Sequence, residues 1–318
     1  MSDSREAVSD TRFLARALEL AERGRGKVRD HPLVGAVVVA GDEVVGEGWY
    51  EYDAVDHAET VALAQAGDRA RGATMYVTLE PCAHHGRTPP CADAVAAAGV
   101  ARVVVGALDP NPKAAGGVER MRAAGVDVEV LDSVEAKRQN DAWRTWVASG
   151  RPHVTYKVAV TLDGRVVVPG RRWVTGEESR RLVHELRASV DAVAVGMGTV
   201  RADNPRLDAR DVAATRQPRR IAFGHGDAGD LELRSGPLED ELRALGAEGV
   251  QSLLLEGGPT LATAFLEADL IDVLMLFVAP IVVGTGPRFF GDVALQLTGM
   301  DARRVGEDVL LVAYIHEP

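Results

Sequence analysis

Short valine-rich runs alternate with helix-patterned stretches along most of this chain, and that rhythm restricts it to α/β layers around central sheets. Residues 11–23 put Leu14, Leu18 and Ala21 on one helical face, and Gly24 ends the pattern. Two valine runs, 34–39 and 44–48, flank Gly41-Asp42, a hairpin signal. A helix over 57–66, a buried strand over 74–79, a helix over 91–98, a strand over 103–107, a helix over 117–124 and a short strand over 126–131 follow. The polar stretch 132–150 reads as an exit helix and linker. From Pro152 a second series begins: a strand over 154–160, a helix over 176–188 and strands over 192–195 and 220–223. A helix over 238–245, a strand over 252–255, a helix over 260–267 and a strand over 273–278 complete it. The two series are not copies of one another. At 318 residues the chain exceeds one comfortable core, so two domains are expected, 1–149 and 150–318.

Charge and apolar runs narrow the partners. A net charge of −11 argues against nucleic acid, which wants a basic face that releases counterions. No window approaches the roughly 18–20 unbroken apolar residues of a membrane span, so no membrane partner is expected. The opening MSDSREAVSDTR has no apolar core of a signal peptide, which makes the cytoplasm the expected compartment. Only two cysteines occur, Cys82 and Cys91. In a reducing compartment a disulfide between them gives way to a metal or catalytic role.

The residues around those cysteines say which. His57-Ala58-Glu59, Glu80-Pro81-Cys82 and Cys91 offer one imidazole and two thiolates, three ligands of a tetrahedral zinc ion whose fourth position stays open to water. A closed structural site would need a fourth ligand from His84 or His85, and would leave Glu59 without a purpose. With an open position, zinc generates a nucleophile near neutral pH, and Glu59, two residues beyond His57, can shuttle its proton. Pro81-Cys82 is expected where a strand gives way to a helix, whose N-terminus favours a thiolate, and Cys91 to begin another helix. The set matches the zinc-deaminase signature H-x-E…P-C-x-x-C, except that eight residues separate the cysteines.

At that point the run TMYVTLEPCAHHGRTPPCADAVAAAGVARVVVGALDPNPKAAGG resembles the bifunctional riboflavin-biosynthesis deaminase–reductase family. Its long spacer, HHGRTPPC, is unlike those of cytidine and tRNA adenosine deaminases. The second half carries the family's other marks, among them 157–164, Trp173-Val174-Thr175-Gly176, His184-Glu185-Leu186-Arg187, 198–207 and 255–261. The resemblance implies a cytidine-deaminase-like α/β/α sandwich followed by a dihydrofolate-reductase-like α/β domain. It implies zinc and NADPH as cofactors and a small phosphorylated pyrimidine as substrate, deaminated and then reduced from ribose to ribityl. A homo-oligomer is expected.

By the same resemblance, Ala159, Trp173, Thr199, Asp203, Gly258, Pro259, Thr260, Leu261, Ala262, Thr263 and Ala264 contact the cofactor. Its phosphates are expected near Gly258-Pro259-Thr260, where paired glycines before a helix bare their N–H groups, and its nicotinamide near Thr199 and Asp203. Arg187, Leu207, Arg210 and Glu256 match the substrate contacts.

The chain departs from the family in places. His31-Pro32 stands for Asn-Pro, Val55-Asp56 for Gly-Pro, Gly170-Arg171-Arg172 for a small segment, and Asp272-Val273 for Asp-Glu. The stretch 210–251 is trimmed. These departures keep a second reading open, a pyrimidine deaminase of a related pathway with a drifted or silent reductase half.

Overall fold

The computed structural model describes residues 2–214 and 216–317, with side chains from residue 9 onward. The chain divides into two compact units, residues up to 148 and residues from 149. Among the described residues no helix is long and apolar enough to cross a membrane.

The first unit contains α1 (Ser2–Glu22), β1 (Gly35–Ala40), β2 (Glu43–Trp49), α2 (Ala58–Ala66), β3 (Thr74–Leu79), α3 (Cys91–Ala97), β4 (Arg102–Ala107), α4 (Gly117–Ala123) and β5 (Asp127–Val130). The stretch expected as one exit helix and linker forms two helices, α5 (Val134–Gln139) and α6 (Asp141–Ser149), broken at Asn140. The sheet order is β2-β1-β3-β4-β5, with β1 antiparallel to both neighbours and β3, β4 and β5 parallel. Alternation along β1 explains its unbroken apolar run. Ala36 and Val38 pack with α2, α3 and α4, while Val37 and Val39 pack with Phe13, Ala17 and Leu20 of α1. The result is the α/β/α sandwich.

That packing also places the site. A Cβ on Gly48 of β2 would lie 2.1 Å from the Ala58 carbonyl oxygen, so only glycine lets the first turn of α2 sit this close to the sheet. The buried Asn140 amide accepts from the Leu33 N–H at 2.8 Å and donates to the Leu33 carbonyl at 2.9 Å. It thereby pins the segment that carries His31 and Pro32.

The second unit continues with β6 (His153–Thr161), α7 (Glu177–Ser189), β7 (Ala192–Gly196), α8 (Met197–Asp203), β8 (Arg219–Phe223), β9 (Glu232–Arg234), α9 (Leu238–Ala247), β10 (Ser252–Leu255), α10 (Pro259–Glu267), β11 (Val273–Ala279), β12 (Thr298–Val305) and β13 (Asp308–Tyr314). Its eight-stranded sheet runs β12-β13-β11-β6-β10-β7-β8-β9. β11 through β9 are parallel, and the antiparallel pair β12 and β13 closes one edge. Leu242, Leu245, Ala262 and Phe265 of α9 and α10 cover one face, and Val183 of α7 with Met197 and Val200 of α8 lies on the other. This is the dihydrofolate-reductase-like architecture. Sequence reading omits α8 and β9, which are short, β12, which is exposed, and β13, a largely buried strand of seven residues.

Candidate active sites

His57 is the N-cap of α2 and has extended backbone, so its ring leaves the helix while Glu59 stays in the first turn. Cys82 follows β3 in a loop. The helix expected at Pro81-Cys82 does not form; the chain stays irregular until α3 begins at Cys91. The Cys82 sulfur instead accepts the Cys91 N–H at 3.4 Å. His57 Nδ1 stands 3.7 Å from Cys82 Sγ and 3.1 Å from Cys91 Sγ, and the three donor atoms lie within 4.8 Å of one another. A tetrahedral zinc ion spaces a nitrogen and a sulfur ligand about 3.5 Å apart, so the donor set fits that metal. Among the described residues neither His84 nor His85 joins the cluster.

The site's electrostatics follow from burial and pairing. The Cys91 thiol donates to Cys82, and His57 adds a second hydrogen bond against the opposing effect of burial, so the Cys82 thiol is pushed down to about 4. The same shared proton pushes Cys91 up. Glu59 is 3% exposed, and burial pushes its carboxyl up to about 7 despite the opposing pull of His57.

A cavity of about 300 Å³ opens beside this cluster. Tyr50, Asp109, Asn111, Trp143 and Trp146 line it with His31 and Glu59. The Tyr50 and His57 rings meet edge-on at 5.4 Å, which fixes the imidazole plane. Burial raises Asp109 to about 6, opposed by a hydrogen bond from the Asn111 N–H and assisted by the nearby Glu80 carboxylate.

Glu80 itself is a scaffold. Its carboxylate accepts the Gly116 and Val118 N–H groups at 3.0 Å each and the Asp109 N–H at 3.2 Å. Sequence reading quotes Glu80 only as part of the cysteine motif. Its partners lie 29 to 38 residues further on, so local spacing carries no sign of them.

In the second unit a cavity of about 1300 Å³ brings together most of the remaining predicted residues. Ala159, Trp173, Thr199, Asp203, Gly258, Pro259, Thr260, Leu261 and Ala264 line it, as do Arg187, Arg210 and Glu256. Three residues do not reach it. Ala262 is fully buried in the core, and Thr263 bonds the Pro259 carbonyl and the Gly291 N–H. Leu207 is 2% exposed and packs among Val193, Val195 and Ala222, so it belongs to the core rather than the cavity wall.

Trp173 is half exposed, with the Arg172 and Arg180 guanidinium groups 5.0 and 5.6 Å from its ring. Arg187 grips Glu256 bidentately at 2.6 and 3.0 Å, and Lys157 approaches the same carboxylate at 3.5 Å. Burial acts to raise Glu256, but Lys157 and Arg187 outweigh it and hold the carboxyl below its usual range. Lys157 is the residue that sequence reading quotes without a role; its partner lies 99 residues away.

This volume exceeds the ~300–1,000 Å³ of an ordinary small-molecule pocket, which leaves room for a dinucleotide beside a second ligand. Gly258 caps α10 with Pro259 at its first position, so unpaired helix N–H groups face the cavity and suit a pyrophosphate. These features fit NADPH.

Sequence profiles match both units. That of the cytidine and deoxycytidylate deaminase zinc-binding region covers residues 7–107, and that of the RibD C-terminal domain covers residues 152–311. The riboflavin biosynthesis protein RibD of Aquifex aeolicus is 37% identical over 95% of this chain and 97% of its own. A solved structure of Acinetobacter baumannii RibD superposes with a TM-score of 0.84, at 34% identity over 96% of this chain and 98% of that one. The Thermotoga maritima diaminohydroxyphosphoribosylaminopyrimidine deaminase/5-amino-6-(5-phosphoribosylamino)uracil reductase gives a TM-score of 0.83, with 32% identity over 98% of this chain and 99% of that one.

Proposed function

This chain belongs to the RibD family of bifunctional riboflavin-biosynthesis deaminase–reductases, and on that premise we propose which of its residues do the work. It is a zinc-dependent deaminase and an NADPH-dependent reductase. We assign the hydrolytic deamination of a phosphoribosylamino-pyrimidine to residues 1–149, and the reduction of its ribose to ribityl to residues 150–318. The alternative of a drifted reductase half has less support, because the relatives match across both halves.

The observation that carries the first assignment is the ligand triangle with a buried carboxyl beside it. His57, Cys82 and Cys91 hold zinc, which when bound supplies Lewis-acid activation of water near neutral pH. Glu59 takes a proton at its carboxylate and returns it to the departing amine nitrogen, the two-way task of a general acid–base. Asn111 and Asp109 orient the pyrimidine by hydrogen bonds, and Trp143 and Trp146 exclude bulk water.

In the second unit Gly258, Pro259 and Thr260 hold the cofactor's phosphates at the start of α10. Lys157, Arg187 and Glu256 form the substrate end, with one more positive than negative charge to receive a phosphate. Reduction follows deamination. The reading includes a cytoplasmic homo-oligomer. Leu162 and Val282, both about two-thirds exposed and joined through the Leu162 N–H to the Ile281 carbonyl, supply apolar surface for it to cover.

Metal analysis of protein purified without added zinc tests the ligand assignment. About one zinc per chain is expected, with Cys82→Ala losing most of it. Zinc content unchanged by Cys82→Ala would contradict the assignment.

A further inference from the structure

Arg210 lines the cavity of the second unit from a segment with no regular structure of its own. Residues 204–210 follow α8 and join neither a helix nor a sheet. Three residues along this stretch carry side chains yet take φ in the left-handed region: Asn204 at +41°, Leu207 at +54° and Asp211 at +60°. For leucine, with no polar group to bond its own backbone there, that conformation is a plain cost. Such backbone persists only where its surroundings overdetermine it, and it gathers beside ligand sites.

The surroundings here are specific. Leu207 is sunk among Val193, Val195 and Ala222, and Ala209 is buried too, while Arg210 between them and the cavity stays exposed. Burial takes water away from the Ala209 backbone, so its N–H and C=O need partners from the protein. Gln217 supplies both. Its Oε1 accepts the Ala209 N–H at 2.9 Å and its Nε2 donates to the Ala209 carbonyl at 2.8 Å, the exchange that a paired strand would give. Gln217 stands two positions before β8, whose pairing with β7 begins at Arg219, so its backbone is held close to the sheet. From the other side Arg187 Nη1 of α7 donates to the Asp208 carbonyl at 3.2 Å, and His184 Nδ1 lies at the same distance from that oxygen. The Asp208 carboxylate in turn accepts from Arg210 Nη1 at 2.5 Å.

We propose that Gln217, which is not part of the cavity wall, positions Arg210 to receive the phosphate of the deaminated substrate. Without the amide, two buried backbone groups of Ala209 lose their partners, and the segment relieves this by shifting toward water. The arginine one residue further on shifts with it. A displaced guanidinium loses its directed bonds to an anion, while the cofactor and the reacting end of the ribose keep their own contacts. The proposal rests on the reading of this unit as the reductase and of Arg210 as one of its substrate contacts.

Steady-state reduction by the full-length protein, with NADPH and the deaminated compound supplied with or without its phosphate, tests it. Gln217→Ala, a change at an exposed side chain, is expected to raise KM for the phosphorylated compound about 5- to 30-fold. Its kcat and its KM for NADPH are expected within about twofold of wild type, which also shows the unit folded. For the dephosphorylated compound, kcat/KM is expected to equal that of wild type. Gln217→Met keeps the side chain's length and neither hydrogen bond, and is expected to match Gln217→Ala. Arg210→Gln is the reference, expected to raise the same KM at least as far. If it does, a wild-type KM in either Gln217 variant, an equal loss with both compounds or a loss confined to kcat overturns the proposal alone. Arg210→Gln with the KM of wild type overturns the reading of Arg210, and wild-type protein that reduces neither compound overturns the reductase reading; the proposal falls with either.

Discussion

Replacing Glu59 by Gln is expected to lower deamination by about 10²- to 10⁴-fold while zinc content and fold stay as they are. Gln has the shape of Glu, so the first turn of α2 keeps its close packing on β2 through Gly48. Glu59 is not among the three grouped ligand residues, so the metal is retained. What Gln lacks is the ability to take up and release a proton. At 3% exposure, no bulk water reaches the position easily to act in its place. Steady-state rates with parallel metal analysis make the measurement. Near-normal turnover in the variant would mean that another group moves the proton, with the buried Asp109 the first to examine.

The second large effect concerns stability. Asp272 is 3% exposed and accepts from both Arg151 Nη atoms at 2.7 Å, from the Val154 N–H at 2.7 Å and from His316 Nδ1 at 3.3 Å. One carboxylate thus ties the first strand of the second unit to its C-terminal segment. Asp272→Ala leaves Arg151 without its buried partner and is expected to cost about 3–5 kcal/mol in unfolding free energy.

Its pH dependence has a definite sign. Burial acts to raise Asp272, but the hydrogen bonds from Arg151 and His316 outweigh it and hold the carboxyl well below its usual range. A depressed carboxyl contributes stability that is present above its unfolded value, about 3.9, and lost as pH falls toward the folded one. His316 is raised by the same hydrogen bond, which its ring donates to Asp272, so its contribution is full below about 6.5 and fades as pH rises past that. Thermal unfolding of wild type and Asp272→Asn between pH 3 and 8 reads both limbs. A stability difference that stays constant down to the acid end would contradict this account of Asp272.

What the sequence makes legible depends on how far apart the interacting residues lie. His57 and Glu59 share a turn, and Cys82 and Cys91 are nine positions apart, so their chemistry can be read along the chain. The valine runs of β1 and β4 and the largely apolar run of β3 announce a sheet covered on both faces, because each side of those strands is buried. β12 defeats the same reasoning. Thr298 to Arg304 are exposed at the sheet's edge, so the strand has no apolar period to recognise. Glu80, Lys157 and Asp272 are missed because they act through partners 29 to 121 residues away, and a spacing argument has no access to those. Leu207 misleads for the opposite reason: it falls inside a family motif, yet its side chain turns into the core.

The central claim is that one chain performs both reactions in a fixed order, deamination in the first unit and reduction in the second. The direct measurement is incubation of the purified protein with the phosphoribosylamino-pyrimidine, with and without NADPH, and identification of each product by mass. Without NADPH the account predicts a single product in which an amino group has become a carbonyl oxygen. With NADPH it predicts that this product gains two hydrogens at the ribose. A product reduced at the ribose that keeps its amino group, or deamination that waits for NADPH, would contradict it.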